Sequence, residues 1–284
     1  MKKPIGMLFA ITTFLFCASC SPHHVTIDQH NKWSTHRIAS CIGDSQCHEK
    51  FVVAHRGLGF GAPENSKAAL RKAAGTVPII EIDVRYSRDR KIFVLHDTKL
   101  DRTTTLSGFV HNKTSEELRA ARLKNGETVP QFEELYRITQ GKSVLDVDFK
   151  ENAVEEIANW IAANGSFNDV IFFVNNIGEM RSAAKMKAKY PAMIVMVRVH
   201  NLPDDILIIK RIFGYLPELL HTNFPTEDHI RSLHKKGIKV FANALRIEFR
   251  IPVLKNCLMH KLIKSGVDLI QSDDPWFVMK NLDQ

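Results

Sequence analysis

Two stretches of the sequence carry carboxylates on alternate residues, which places them on one face of a β-strand. In PIIEIDVRYS the acids are Glu81 and Asp83, and in SVLDVDFK they are Asp146 and Asp148. The apolar residues between them are expected to face surrounding helices, so the acids point into the interior. A buried carboxylate is costly unless it is paired with a cation or binds a metal ion. The pattern therefore predicts a group of inward-facing acids that need one or the other.

Two histidines and two cations accompany these acids. His55 and Arg56 follow the apolar run FVVA, His96 ends the run IFVLH, and Lys150 follows SVLDVDF. A single histidine at a strand end is usually structural. The combination of two histidines, several acids and two cations at strand ends instead favours a catalytic site for an anion.

The elements that must position these residues alternate regularly. Between the apolar, β-branched runs lie stretches typical of helices, which predicts parallel strands with crossover helices. No GxGxxG fingerprint follows the first run, and eight strands in a segment of this length predict a closed (β/α)8 TIM barrel rather than an open sheet. The runs lie at residues 51–55, 78–84, 143–149, 169–175, 193–199, 218–223, 238–244 and 267–272.

One segment interrupts the alternation after the second strand region, at about residues 98–140. Thr114 begins a capping-box pattern with Glu117, and Pro130 suits the first turn of another helix. We expect a small insertion on one face of the barrel and not a separate domain.

These motifs together resemble the glycerophosphodiester phosphodiesterase family. The similarity continues through PENS, through LDRTT after the second histidine and through GVDLIQSDDP, and it extends over about residues 51–276. It implies a TIM barrel and a phosphoric diester hydrolase that releases glycerol 3-phosphate and an alcohol. The family motifs HR, ExD and HD correspond to His55-Arg56, Glu81-x-Asp83 and His96-Asp97.

The resemblance implies a cation site. Glu81, Asp83 and an acid of the next barrel strand would bind one divalent cation. The third acid is usually the glutamate of a pattern such as IEIK, but this chain has VDFK, so Asp148 takes that place. Aspartate is one methylene shorter, so the cation must lie closer to this strand or accept a bridging water. An all-oxygen site selects a hard cation, Ca²⁺ or Mg²⁺, over zinc.

The resemblance also implies the roles of the remaining matched residues. His55 and His96 would act as general acid and base, although the sequence does not say which does which. Arg56 would hold the phosphate and neutralise its charge, and Lys150 matches the lysine of the family pattern. Glu64 and Asn65 have two readings, a contact to substrate or metal and a simple cap of the following helix.

The first twenty residues, MKKPIGMLFAITTFLFCASC, are typical of a signal peptide. A charged start is followed by an apolar segment that is short for a membrane span. Ala18 and Ser19 before Cys20 resemble a bacterial lipobox, which predicts an exported lipoprotein, periplasmic or anchored to the outer membrane, with Cys20 lipidated. Cys17 stands where that motif usually has leucine, so ordinary signal cleavage and an uncleaved anchor remain alternatives.

Residues 21–50 are polar and rich in histidine, and we predict a tether between the membrane and a barrel formed by residues 51–284. In an oxidising compartment Cys41 and Cys47 could form a disulfide.

The net charge of +8 comes from scattered lysines and arginines without long basic runs. This favours a solvated basic surface over a nucleic-acid partner, and it suits an anionic substrate or an anionic membrane face.

Two rival functions remain. The first is a related barrel phospholipase, of the phosphatidylinositol C or sphingomyelinase D type, which an apolar patch at the site mouth would favour. Leu106, Phe109 and Val110 of the insertion offer a small one. The second is an inactive barrel that binds phosphate or an envelope partner, for which the change to Asp148 is the only support.

Overall fold

Eight parallel strands close into a barrel in the computed structural model, which describes residues 33–223, 225–248 and 250–282. The first strand pairs with both the second and the last, so the barrel has no open edge. The predicted TIM barrel is confirmed. Its strands are β1 Phe51–Ala54, β2 Ile79–Tyr86, β4 Val144–Phe149, β5 Val170–Val174, β6 Ile194–Val199, β7 Leu219–Thr222, β8 Lys239–Asn243 and β9 Leu269–Ser272.

Helices connect these strands and surround them. Side chains of Ser66, Asn176 and Thr226 cap the helices that directly follow them, by accepting hydrogen bonds from the backbone N–H groups three residues later. The helices from the barrel onwards are α2 Lys67–Ala73, α3 Ser115–Ala120, α4 Phe132–Thr139, α5 Val154–Asn164, α6 Ile177–Lys189, α7 Leu202–Phe213, α8 Glu227–His234, α9 Leu245–Glu248, α10 Pro252–Lys264 and α11 Pro275–Leu282.

The alternation along β2 and β4 separates two environments. Ile80, Ile82 and Val84 are buried in the layer between strands and helices, together with the corresponding apolar residues of β4. The acids between them consequently point into the barrel, as the pattern predicts.

The insertion begins with β3, Ile92–Val94, which runs antiparallel to β2. It has a small core of its own, in which Phe93, Leu100 and Val110 are buried. Thr114 and Glu117 form the predicted capping box at the start of α3. Pro130, however, precedes the cap of α4 by one residue, because Gln131 is the N-cap and the helix begins at Phe132.

The described part of the predicted tether contains helix α1, Thr35–Gly43, so the tether prediction is wrong for these residues. Ile38 and Ile42 lie one turn apart and are buried among inward-facing residues of the strands, including Phe51. The helix thus closes the end of the barrel at which the strands begin. A disulfide between Cys41 and Cys47 joins the end of α1 to the segment before β1.

The predicted signal peptide, with Cys20, lies outside the described residues. None of the helices in the described part of the chain combines the length and the apolar character that a bilayer-spanning segment requires.

Candidate active site

Three carboxylates meet at the end of the barrel where the strands finish. Asp83 on β2 is in register with Asp148 on β4, and Glu81 lies two residues before Asp83 on the same face. Ligand oxygens of the three side chains all lie within 4.8 Å of one another, and all three side chains are buried. Such a set of oxygen donors, on neighbouring rigid strands, is suited to one hard divalent cation.

Lys150 lies directly against this cluster. Its Nζ is 2.6 Å from Oδ2 of Asp148 and 2.8 Å from Oδ1 of Asp83. Burial disfavours the ammonium ion, but the attraction of Asp148 and Asp83 outweighs it, and the pKa of Lys150 is raised. Lys150 therefore stays protonated and keeps a positive charge beside the acids.

The acids differ in their affinity for a proton. Burial and the nearby charge of Asp83 raise the pKa of Glu81 well above its ordinary value. Burial also works against ionisation of Asp83, but Lys150 and Arg56 outweigh it and lower the pKa of this group. Asp83 is therefore the acid that its surroundings hold ionised, and positive charge placed between the acids would favour ionisation of Glu81 as well.

The loop after β1 folds its polar groups onto the same cluster. The backbone N–H of Arg56 donates to Oε2 of Glu81 at 2.9 Å, and Nε of Arg56 lies 3.3 Å from Oδ2 of Asp83. Arg56 adopts a φ of 53° and Asn65 a φ of 55°, both in the left-handed region that non-glycine residues rarely occupy. Backbone strain at this spot is typical of functional sites.

His55 is oriented by an aspartate from the last strand end. Its Nδ1 lies 2.6 Å from Oδ1 of Asp273, and its Nε2 lies 4.0 Å from Oε2 of Glu81. A carboxylate at Nδ1 favours the tautomer with a proton there, which leaves Nε2 as the base that faces the acids.

His96 has the same kind of partner. Its Nδ1 lies 2.7 Å from Oδ1 of Asp97, and the guanidinium of Arg102 donates to both oxygens of that aspartate. The backbone carbonyl of His96 accepts from Arg85, and the N–H of Leu95 donates to the carbonyl of Asp83. His96 is thus attached to β2 beside the carboxylate cluster.

Glu64 and Asn65 have distinct places. Glu64 bridges Arg56 at 3.0 Å and Arg102 at 2.7 Å, and Asn65 donates to Oδ2 of Asp83 at 2.8 Å. The cap of α2 is Ser66, so the reading of Glu64 and Asn65 as simple helix caps is wrong. Both side chains belong to the polar network around the acids.

A sequence profile of the glycerophosphoryl diester phosphodiesterase family matches residues 55–276. The chain belongs to this family. It is 31% identical over 240 residues to a glycerophosphodiester phosphodiesterase of Bacillus altitudinis, an alignment that covers 79% of this chain and 94% of the relative. As a member, it is a phosphoric diester hydrolase.

Solved structures agree with the fold. A glycerophosphoryl diester phosphodiesterase from Parabacteroides distasonis superimposes with a TM-score of 0.73 at 25% identity, covering 88% of this chain and 91% of that one. An Oleispira antarctica phosphodiesterase, solved in complex with the product sn-glycerol-3-phosphate, superimposes with a TM-score of 0.67 at 24% identity, covering 84% and 99% of the two chains.

In this glycerophosphodiester phosphodiesterase, further residues of the site come from β5 and β6, on which the sequence predicted no site residue. Asn175, after β5, donates to Oδ1 of Asp148 at 2.7 Å, and Arg198 on β6 donates to Asn175 at 2.6 Å. These contacts hold the carboxylate of Asp148 in place. Period-two alternation places Arg198 on the inner face of β6, but no motif marks either residue.

Two further titratable groups are buried inside the barrel of the phosphodiesterase. Neither oxygen of Asp146 and neither ring nitrogen of His221 has a hydrogen-bond partner among the described residues. Burial and the neighbouring Asp148 raise the pKa of Asp146 well above its ordinary value. Burial, with a smaller contribution from Arg198, lowers the pKa of His221 to about 3. His221 is therefore uncharged in the folded protein near neutral pH, and the surroundings of Asp146 disfavour its ionised form.

Proposed function

We propose that this phosphodiesterase hydrolyses glycerophosphodiesters to glycerol 3-phosphate and an alcohol by general acid–base catalysis with two histidines. The observation that carries the proposal is the pairing of each histidine with an aspartate through Nδ1, beside the carboxylate cluster of Glu81, Asp83 and Asp148. The product held by the Oleispira antarctica phosphodiesterase, sn-glycerol-3-phosphate, is consistent with this chemistry.

We propose that Glu81, Asp83 and Asp148 hold one Ca²⁺ or Mg²⁺ ion, since their donor atoms are all carboxylate oxygens. When bound, such an ion neutralises negative charge on the phosphodiester as it develops. Asn175 and Lys150 fix the orientation of Asp148, and Asn65 fixes that of Asp83.

The cations of the chain have a matching role. Arg56 and Lys150 already carry ion pairs with Asp83, and their remaining N–H groups are available to oxygens of a phosphate. In the proposed complex they bind and orient the phosphodiester and stabilise charge in the transition state. Glu64 keeps the guanidinium of Arg56 in place from the other side.

The proton transfers fall to His55 and His96. One Nε2 takes a proton from the attacking water, whose oxygen bonds to phosphorus as the P–O bond to the alcohol breaks, and the other histidine gives a proton to the leaving alkoxide. Asp273 and Asp97 stabilise the imidazolium form that each histidine passes through.

The rival phospholipase function would be favoured by an apolar patch at the site mouth, of which the insertion was expected to offer a small part. Val110 is buried and Leu106 is partly buried against the insertion core, so only Phe109 remains prominently exposed, at 42%. The insertion therefore gives that rival little support.

For the location of the enzyme, the N-terminal segment supports an exported lipoprotein with Cys20 as the lipidated residue. The Cys41–Cys47 disulfide is consistent with an oxidising compartment. A Cys20→Ser variant is expected to accumulate as an unprocessed precursor without an acyl group. Recovery of mature protein that begins elsewhere and carries no lipid would contradict this location.

The activity is tested by release of glycerol 3-phosphate from a panel of glycerophosphodiesters, with and without a chelator. The expected result is release that a chelator abolishes and that Ca²⁺ or Mg²⁺ restores. Full activity in the chelated enzyme would contradict the cation's role, and no release from any member of the panel would contradict the substrate class.

A further inference from the structure

Large aliphatic side chains are exposed at the beginning of α10. Ile251 is 71% exposed, Val253 is 80% exposed and Leu254 is 40% exposed. This segment follows β8, and loops that follow barrel strands surround the mouth of the active site. Three exposed aliphatic residues within four positions are unusual for a surface that contacts only water.

The segment lies beside the strand end that supplies Asp273. Nζ of Lys255 is 3.4 Å from Oδ2 of Asp274 and 4.3 Å from the ring centroid of Phe277. These contacts join the start of α10 to the start of α11. Because Asp273 binds His55 directly, the apolar segment is adjacent to the catalytic side of the mouth.

An exposed aromatic residue lies at the start of α11, the helix that Lys255 contacts. Trp276 is 38% exposed, and its ring lies 5.5 Å from that of Phe60 in the loop after β1. The two loops fit closely, since a side chain at Gly59 would come within 2.5 Å of Pro275. We call the surface formed by Phe60, Ile251, Val253, Leu254 and Trp276 the apolar rim.

Two basic residues lie next to the aliphatic part of the apolar rim. Arg246 and Arg250 are exposed on the same loop, and the chain carries a net charge of +8. Apolar side chains and a tryptophan next to basic residues are the combination that enters the interface of an anionic bilayer.

We propose that the apolar rim docks the enzyme on an anionic lipid surface, so that phosphodiesters reach the active site from the membrane interface. This inference rests on the proposed function and specifies where its substrate is taken up. It differs from attachment through the N-terminal segment, because α1 lies at the opposite end of the barrel from the apolar rim.

The test uses the full chain with vesicles of phosphatidylcholine, with or without phosphatidylglycerol, whose acyl chains carry bromine. The measured quantity is the quenching of Trp276 fluorescence, obtained as the difference between the unsubstituted protein and Trp276→Phe. We expect quenching with the anionic vesicles and much less with phosphatidylcholine alone.

A double variant, Ile251→Ser with Val253→Ser, is expected to weaken this quenching on the order of tenfold at equal lipid. The matched control is Leu207→Ser, because Leu207 on α7 is an aliphatic residue of similar exposure, at 66%, outside the apolar rim. Hydrolysis of a water-soluble glycerophosphodiester should be unchanged in all of these variants. That assay tests the proposed function separately and shows that each variant is folded.

Several outcomes would overturn the inference. One is absence of Trp276 quenching, and another is equal loss in Leu207→Ser and the double variant. A third is self-association through the apolar rim. A dimer in sedimentation measurements that the double variant converts to a monomer would show that the rim joins two copies of the chain.

Discussion

Oδ1 of Asp273 lies 2.6 Å from Nδ1 of His55, although the two residues are 218 positions apart in the chain. The barrel makes this possible because β1 and β9 are neighbours and both end at the same rim. The pair of His96 and Asp97, at 2.7 Å, repeats the arrangement with adjacent residues. Both histidines are therefore held with Nδ1 occupied and Nε2 available.

Removal of the charge of Asp273 is expected to lower turnover while the fold is kept. In Asp273→Asn the amide can donate to Nδ1 and favour the wrong tautomer of His55, so kcat should fall by roughly 10–100-fold or more. The pH–rate profile should also shift, which a purely structural residue would not cause. The matched control is Asp274→Asn. Asp274 accepts a hydrogen bond from the backbone N–H of Phe277 at the start of α11, and an asparagine at this position can still accept it. Equal kinetics for the two variants would contradict this role of Asp273.

Loss of one carboxylate of the cluster is expected to remove the cation site. Asp83→Ala deletes the acid that is in contact with Lys150, Arg56 and Asn65, and it should abolish both cation binding in calorimetry and turnover. Asp146→Asn is the control, since Asp146 lies outside the three-acid cluster and its surroundings already disfavour its ionised form. Undiminished cation affinity in Asp83→Ala would place the ion elsewhere.

Much of this site follows from local sequence pattern. The inward direction of the four acids on β2 and β4 was predictable, because a strand with one apolar face must turn its other face inward. The resemblance to the family then selected Glu81, Asp83 and Asp148 among them. Asp273 was not, because SDDP offers two adjacent aspartates and their directions depend on how β9 ends. Asn175 and Arg198 are likewise polar residues whose proximity to Asp148 arises only when the barrel closes.

The buried His221 is expected to make stability depend on pH. Its pKa is about 3 in the folded protein, as burial disfavours the charged ring between Phe173 and Phe241. The unfolded chain takes up a proton near pH 6.5 and the folded one does not, so stability falls as pH falls below that value. From near pH 8 to near pH 5 this contributes a loss of about 2 kcal/mol in the free energy of unfolding.

A His221→Phe variant should lack this contribution, while the other titrating groups remain in both proteins. Denaturant unfolding at the two pH values measures the difference. An identical loss in the variant and the unsubstituted protein would show that His221 can be protonated in the folded state.

Helix α1 is expected to contribute to the stability of the barrel. Ile42 is 1% exposed against the inward-facing residues, so Ile42→Ala should lower the free energy of unfolding by about 2–5 kcal/mol. Ile251→Ala, at a residue that is 71% exposed, should change it by less than about 0.5 kcal/mol. Equal effects in denaturant unfolding would mean that α1 is not part of the folded unit.

The sequence did not predict α1 because its apolar stripe is short. Ile38 and Ile42 lie in a polar, histidine-rich segment of the sequence that precedes the first barrel strand. Two isoleucines at helical spacing are weak evidence for a helix. Their burial depends on the open end of a barrel that only the complete chain forms. The barrel strands, by contrast, repeat one pattern eight times, and each repeat supports the others.

The most direct measurement compares His55→Ala, His96→Ala and the double variant on two substrates. On a glycerophosphodiester each single variant should lose roughly 10²–10⁴-fold in turnover, and the losses should not add in the double variant. Cation binding and folding should stay intact. On a nitrophenyl diester, whose leaving group needs no proton, one variant should recover and the other should not, which assigns acid and base. Full activity in both single variants, or loss of cation binding and folding in both, would contradict catalysis by this pair.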